Sequence, residues 1–241
     1  SGASSSGTTL LSVLLDRHPM IACGPELGLL NKDRFYQRFA NVQQQFAFWL
    51  GHGLTTDGHA EYGAFMRNRA AYFWPDDELL ALVQHSNGHR DFLDRFFAHY
   101  LRKRDKVMWG EKTPSNAYCV KQLKQIYPEL RIIHLVRDGR DVTCSLMGRT
   151  SNAYQAASNW VYNVAAATQA QQLDGYLCLS YEKLVQDPEG SLRQVCRHLD
   201  VPFTSAMLQE QAADDYWNKY SNKNIHASWG NSPLSGAISG S

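Results

Sequence analysis

The residues able to do chemistry begin in the first turn of the chain. Gly2-Ala3-Ser4-Ser5-Ser6-Gly7-Thr8-Thr9-Leu10 sets two glycines five apart, fills the gap with small residues and runs into an apolar helical pattern. Glycines let a backbone turn tightly and present its N–H groups to an anion. A helix starting just behind them adds unpaired N–H groups and the positive end of its dipole, and the combination cradles phosphate. The spacing matches the phosphate loop G-x-x-x-x-G-K-[ST], except that Thr8 stands at the lysine position. That lysine reaches the β- and γ-phosphates of a nucleoside triphosphate, so its absence leaves the cradle open for another anion.

Three more sets of candidates follow candidate strands. Glu26 comes after Met20-Ile21-Ala22-Cys23 and the turn Gly24-Pro25. Lys112 comes after Val107-Met108-Trp109-Gly110, just before Pro114, which suits the first turn of a helix. Arg137 ends Arg131-Ile132-Ile133-His134-Leu135-Val136, the clearest strand pattern in the chain. Ser145 and Arg149 lie behind it at helical spacing and share a face. In open α/β sheets, ligands bind beyond the carboxyl ends of the strands. A carboxylate there takes protons and a lysine meets anions, while guanidinium groups with a hydroxyl make a second phosphate site. Local sequence alone also allows plainer roles: a solvated turn acid for Glu26, a surface charge for Lys112, and a salt-bridge network of Arg137 with Asp138 and Asp141.

These residues need elements to position them. The pattern predicts a helix from Thr8 to Arg17, halted by His18-Pro19. Residues 30 to 105 are rich in aromatics and read as short helices with loops, with turns at Gly51-His52-Gly53 and Asp57-Gly58 and a stronger amphipathic helix over Asp91 to Arg104. A helical pattern runs from Asn116 to Ile126, another from Asn152 to Leu173. A strand is expected over Tyr176–Tyr181, and Asp187-Pro188-Glu189 opens a further helix. Beyond Asp214 periodicity is lost, and residues 231 to 241 read as loop. Strands alternating with helices imply a P-loop α/β domain, a three-layer α/β/α arrangement with a mostly parallel sheet. Residues 30–105 form a helical insertion, expected as a lid. The expected domain is 1–241, lacking its N-terminal strand because the chain opens inside its own phosphate loop.

Composition bounds the function. The net charge of +1 provides no global field to recruit nucleic acid or a membrane. No apolar run approaches the ~18 residues of a membrane span. The five cysteines (Cys23, Cys119, Cys144, Cys178 and Cys196) are scattered, with no C-x-x-C spacing, which argues against a disulfide framework or a zinc site. The histidines show no compelling metal spacing. With no signal segment visible, the lean is to a cytoplasmic setting.

Taken in order, the blocks Ser6-Gly7-Thr8-Thr9-Leu10-Leu11, Glu111-Lys112-Thr113-Pro114 and Leu135-Val136-Arg137-Asp138-Gly139-Arg140-Asp141-Val142, with Ser145 behind, resemble the sulfotransferases that use 3′-phosphoadenosine 5′-phosphosulfate (PAPS). Asp16-Arg17-His18-Pro19 through Cys23-Gly24-Pro25-Glu26, and Ser180-Tyr181-Glu182-Lys183-Leu184, are similar to the tyrosylprotein sulfotransferase branch and its bacterial relatives. The resemblance covers about residues 1 to 200 and implies sulfuryl transfer from PAPS to a hydroxyl of a protein tyrosine, a sugar or a small molecule, with PAP as product and no metal. It places the 5′-phosphosulfate loop on Ser5, Ser6, Gly7, Thr8, Thr9 and Leu10, and the 3′-phosphate site on Arg137, Ser145 and Arg149. It makes Lys112 the catalytic lysine and Glu26 the general base, sets Tyr181 against the nucleotide, and suggests Lys223 as a C-terminal lysine near it. Two positions depart from the family pattern. Ser5 stands where an Arg or Lys usually precedes the Ser-Gly-Thr-Thr run. Cys23 matches a disulfide-bonded cysteine of secretory-pathway members, but the partner position near Gly110 holds no cysteine. The alternatives are a P-loop nucleotide kinase or hydrolase, which would need a lysine at position 8 and a Mg²⁺-holding acid, and a non-catalytic PAPS-binding domain, made credible by Ser5.

Overall fold

The computed structural model of the protein describes residues 1–52, 62–150, 152–209 and 216–217, with the backbone alone at 149 and 150. The expected turns at Gly53 and Asp57-Gly58, the lysine at 223 and the tail at 231–241 lie outside the described residues.

Four short strands form two parallel pairs. β1 (Ile21–Cys23) pairs with β2 (Met108–Gly110), setting Ala22 beside Trp109 and Cys23 beside Gly110. β3 (Ile132–Val136) pairs with β4 (Tyr176–Ser180), from Ile132 beside Tyr176 to Val136 beside Ser180. Residues 1 and 2 lie between the pairs. Ser1 N donates to Ile133 O at 2.8 Å and Leu135 N donates to Ser1 O at 2.9 Å, a parallel ladder. On the other side Gly2 N reaches Pro114 O at 3.4 Å. The carboxyl ends of the strands thereby gather on one edge beside the glycine loop.

Alternation along the strands divides the core between two faces. Ile21, Cys23, Leu135 and Leu179 pack with Leu10, Leu11, Leu14 and Leu15 of α1 (Thr8–Asp16). Leu184 of α9 (Tyr181–Gln186) and Leu192 and Val195 of α10 (Pro188–Leu199) complete that layer. Ala22 and Trp109 face the other way, into an aromatic core built by α2 (Phe39–Gly51), α3 (Gly63–Asn68), α4 (Asp76–Gln84) and α5 (His89–Arg104). Phe97 of α5 stacks on Trp109 with centroids 3.8 Å apart, so the helical insertion is seated on the sheet. Each such buried ring removes enough apolar surface from water to contribute about 1.5–3 kcal/mol. Helices on both sheet faces make the expected three layers. A 3₁₀ turn, Pro114–Cys119, leads into α6 (Val120–Ile126), and α7 (Gly139–Thr150) and α8 (Ala153–Gln169) follow β3.

Three helix starts follow capping chemistry. Asn152 accepts from Gln155 N, Ser180 from Lys183 N, and Asp187 from Gly190 N with Pro188 at the first position. The Ser180 cap corrects one expectation: Tyr181 is the first residue of α9 and not the last of a strand. Helix α8 also ends sooner than its pattern suggests, at Gln169.

Cys23 is buried beside Asp16, and burial, reinforced by that carboxylate, pushes its thiol up to about 12. Iodoacetamide at pH 8 is expected to modify exposed Cys144 and to reach Cys23 only on unfolding. Native-state labelling read by mass spectrometry checks this, and early alkylation of Cys23 would contradict the packing.

Candidate active site

The glycine loop is wound by two left-handed residues, Ser5 at φ 67° and Gly7 at φ 82°. Gly7 meets both demands that suit glycine: the positive φ, and the Tyr181 ring, packed so close that an added Cβ would collide with it. Helix α1 starts directly behind, with no side-chain cap on its first N–H groups, and its first intrahelical bond is Leu11 N to Gly7 O at 3.1 Å. The N–H groups of Thr8, Thr9 and Leu10 therefore point out of the helix start without intrahelical partners. Ser6 is buried, and its hydroxyl has no hydrogen-bond partner among the described residues. An uncapped helix end with a buried, unpaired hydroxyl is suited to an anion.

Glu26 and Lys112, 86 residues apart in sequence, meet across the edge. Lys112 Nζ donates to Glu26 Oε1 at 2.7 Å and to Thr9 Oγ1 at 3.1 Å. The lysine side chain is 7% exposed and the glutamate 47%. One ammonium thus touches both the phosphate-loop helix and a carboxylate open to solvent. The turn carrying Glu26 is held from the helical insertion, where Tyr72 Oη donates to Pro25 O at 2.6 Å and the Asn68 amide to Glu26 O.

Arg137 sits at the end of β3, two residues before α7. Its Nη1 donates to Ser5 O at 3.1 Å, its guanidinium lies 4.6 Å from the centre of the Tyr181 ring, and its Nη2 is 3.7 Å from Asp141 Oδ2. Its Nε is buried without a partner among the described residues. The anticipated salt-bridge network is split. Arg140 pairs with Asp138 at 2.7 Å and holds that carboxyl down to about 2, while Arg137 keeps the longer contact to Asp141. Ser5, Gly7, Tyr181 and Arg137 therefore form one continuous wall. Ser145 is exposed on α7. The side chain at Arg149 and all of Lys223 lie outside what the structure describes.

Three residues that local sequence did not single out shape this edge. Glu111, one residue before Lys112, accepts hydrogen bonds from both the Glu26 turn and the Lys112 turn. Glu182 accepts from Asp138 N at 2.9 Å and from Ser180 Oγ at 2.7 Å, joining the ends of β3 and β4. Trp160 of α8 donates from Nε1 to Arg137 O at 3.0 Å and packs its ring against Gly139. Both glutamates adjoin strand ends in blocks already visible in the sequence. Nothing in residue spacing separates an acid that binds its neighbours from one facing solvent.

Among the described residues, no group of His, Cys, Asp and Glu side chains could hold a metal ion, and no helix is long and apolar enough to cross a membrane. The arrangement offers a phosphate cradle, a cation and a proton acceptor beside it, and a second cation along the wall.

Comparison with known proteins gives a consistent result. The family model described as "Sulfotransferase family" matches residues 1–205. Protein-tyrosine sulfotransferase A of Caenorhabditis elegans is 23% identical over 223 residues, covering 87% of this chain and 51% of that protein. An omega-hydroxy-beta-dihydromenaquinone-9 sulfotransferase of Mycobacterium bovis is 27% identical over 118 residues, covering 42% of this chain and 30% of that protein. The sulfotransferase domain from the olefin synthase of Synechococcus PCC 7002 superposes with a TM-score of 0.63 at 24% identity, covering 89% of this chain and 77% of that one. That likeness supports the P-loop α/β fold. The chain spans about half the length of curated relatives it matches along most of its own length.

Proposed function

The chain belongs to the sulfotransferase family, and on that footing we propose that it moves a sulfuryl group from PAPS to the hydroxyl of an acceptor. The observation that carries the proposal is the Lys112 ammonium bonded at once to Thr9 of the phosphate-loop helix and to Glu26. It brings a cation and a proton acceptor together beside the phosphate-loop helix, where a group leaving the loop would meet a nucleophile.

The residues present fit the donor. The 5′-phosphosulfate end would lie on the loop N–H groups, with the unpaired Ser6 hydroxyl and those of Thr8 and Thr9 as donors. The 3′-phosphate would draw on Arg137, whose Nε has no partner among the described residues, with Ser145 and Arg149 from α7 and Lys223 from the C-terminal segment. Tyr181, stacked between Gly7 and Arg137, would face the nucleotide. The donor supplies the sulfuryl group. The chain's own work is positioning and charge stabilisation, as in phosphoryl transfer. Glu26 takes the proton from the acceptor hydroxyl as its oxygen bonds to sulfur. Lys112 meets the negative charge on the phosphate oxygen as its bond to sulfur breaks. The Lys112–Glu26 pair must part as both substrates enter. Helices of residues 30–105, which hold the Glu26 turn through Tyr72 and Asn68, are the proposed lid and the source of acceptor selectivity.

Transfer of label from ³⁵S-PAPS to a panel of tyrosine peptides, sugars and lipid or small-molecule alcohols tests the reading. Binding of PAP with no transfer to any of them would replace it with a non-catalytic binding domain. Ser5 favours that second reading, because its side chain carries no charge where the family pattern has a cation.

Arg137→Ala is expected to weaken PAP binding about 10- to 100-fold, the range of one lost charged hydrogen-bond donor. Affinity for adenosine 5′-phosphate, which lacks the 3′-phosphate, should change by less than about threefold on the same reasoning. Calorimetric titration of both ligands decides the matter, and equal losses for the two would remove Arg137 from the 3′-phosphate site.

A further inference from the structure

Glu111 is half-buried between the two segments that carry the proposed base and lysine. Its Oε1 accepts from Leu27 N at 2.9 Å and Thr113 Oγ1 at 2.7 Å. Its Oε2 accepts from Thr113 N at 3.1 Å and from the Asn116 amide. Thr113 Oγ1 in turn accepts from Gly28 N at 3.1 Å. Leu27 and Gly28 directly follow Glu26, and Thr113 directly follows Lys112. The carboxylate and the threonine hydroxyl therefore stitch the turn after β1 to the turn after β2 on the chain side of the Glu26–Lys112 contact.

All four partners of Glu111 are donors, so an acceptor-only, deprotonated carboxylate satisfies every one of them. Burial pushes the Glu111 carboxyl up from its ordinary value, and the bonds from Thr113, Leu27 and Asn116 pull against that rise. A buried carboxylate is costly unless all its lone pairs are used. Here they are spent on the backbone and side chains of two loops, with no bond left over for substrate.

We propose that Glu111 and Thr113 form a hydrogen-bonded bracket that fixes the Glu26 turn against the Lys112 turn, making Glu111 a positioning residue for sulfuryl transfer that acts through Glu26. Glu111 touches no reacting atom. It sets the separation across which the acceptor hydroxyl, the sulfuryl group and the two side chains must align, and misplacement of about 1 Å at such a site costs on the order of 100-fold in rate.

This inference rests on the transfer reading above, and its test separates the two. In Glu111→Gln the amide NH₂ must face a backbone N–H donor whichever way it is turned, that of Leu27 or that of Thr113. The expected result is a kcat lower by on the order of 10- to 100-fold, with the KM for PAPS and the affinity for PAP within about twofold. Introduced into Glu26→Gln, the same change should add less than about threefold, because residues acting as a unit are not additive. Thr113→Val, a milder cut in the same bracket, should lower kcat in the same direction, and Thr113→Ser should recover most of the loss. It also stands in if the Gln variant fails to fold. Crystal structures of the variants with PAP should show the Glu26 and Lys112 turns moved apart relative to the unaltered protein in the same complex. Unchanged turn positions, or kcat losses that multiply with Glu26→Gln, overturn the bracket. If the unaltered protein transfers no label to any acceptor, the transfer reading is what fails, and the crystallographic comparison alone judges the bracket.

Discussion

Replacing Glu26 by Gln is expected to lower turnover about 10²- to 10⁴-fold, the usual contribution of a positioned general base, and to leave PAP binding within about threefold. Gln has nearly the shape of Glu and keeps a carbonyl oxygen for Lys112 Nζ, now 2.7 Å from Glu26 Oε1. The turn should therefore stay where Tyr72, Asn68 and the Leu27 amide hold it. An amide cannot take a proton near neutral pH, so a hydroxyl attacking sulfur would have to release its proton to water. The variant thus separates proton removal from nucleotide binding. Single-turnover transfer of ³⁵S from bound PAPS measures the first and calorimetry with PAP the second. Turnover preserved on the true acceptor would strip Glu26 of the role. Loss of PAP binding in step with turnover would show that the glutamate shapes the phosphate site through Lys112.

The second large effect is on stability and lies away from the edge. Asp16 closes α1 and is fully buried. Its carboxylate accepts from Cys23 N at 2.9 Å and Arg104 Nη2 at 2.8 Å, with Lys106 Nζ at 3.3 Å. Lys106 also donates to the Asp16 carbonyl and to Ile21 O at 2.7 Å. The side chains of Arg104 and Lys106 are 10% and 11% exposed, so both cations depend on this one anion. Asp16→Asn keeps the volume, removes the charge and can face only one oxygen toward three donors. Removing one partner of a buried pair typically costs about 3–5 kcal/mol. For a chain of this size about 3 kcal/mol corresponds to a fall in Tm of roughly 6–12 °C. Thermal denaturation followed by circular dichroism reads the shift. A Tm unchanged to within about 2 °C would mean that Arg104 and Lys106 find water or other acceptors at little cost.

The Asp16 cluster also explains the Asp16-Arg17-His18-Pro19 block in structural terms. His18 Nδ1 accepts from Met20 N at 3.1 Å, and its Nε2 lies 2.9 Å from Pro202 O. These bonds turn the chain from α1 into β1 and so aim the Glu26 turn at the site. A block that supported the family resemblance thus works through the scaffold and touches no ligand position.

What the sequence determined by itself is the part governed by local backbone chemistry. Two glycines and an apolar helical pattern suffice for a loop that presents N–H groups, because φ above zero and an uncapped helix start are local properties. Apolar runs followed closely by Glu26, Lys112 and Arg137 place those residues at one edge once the strands are parallel, and alternation of strands with helices makes them so. The Asp187-Pro188 helix start was legible for the same local reason. The tertiary structure alone decided which of these residues meet. The Glu26–Lys112 contact spans 86 residues, and the bracket at Glu111 draws donors from Leu27, Thr113 and Asn116. The seating of the helical insertion rests on Phe97 meeting Trp109. Periodicity tells which face of an element is buried, but a polar side chain's partner is set by whatever distant segment the fold brings within about 3 Å. That is why the phosphate loop could be read from the first ten residues, while the roles of Asp16, Glu111 and Glu182 waited on the packing of the whole chain.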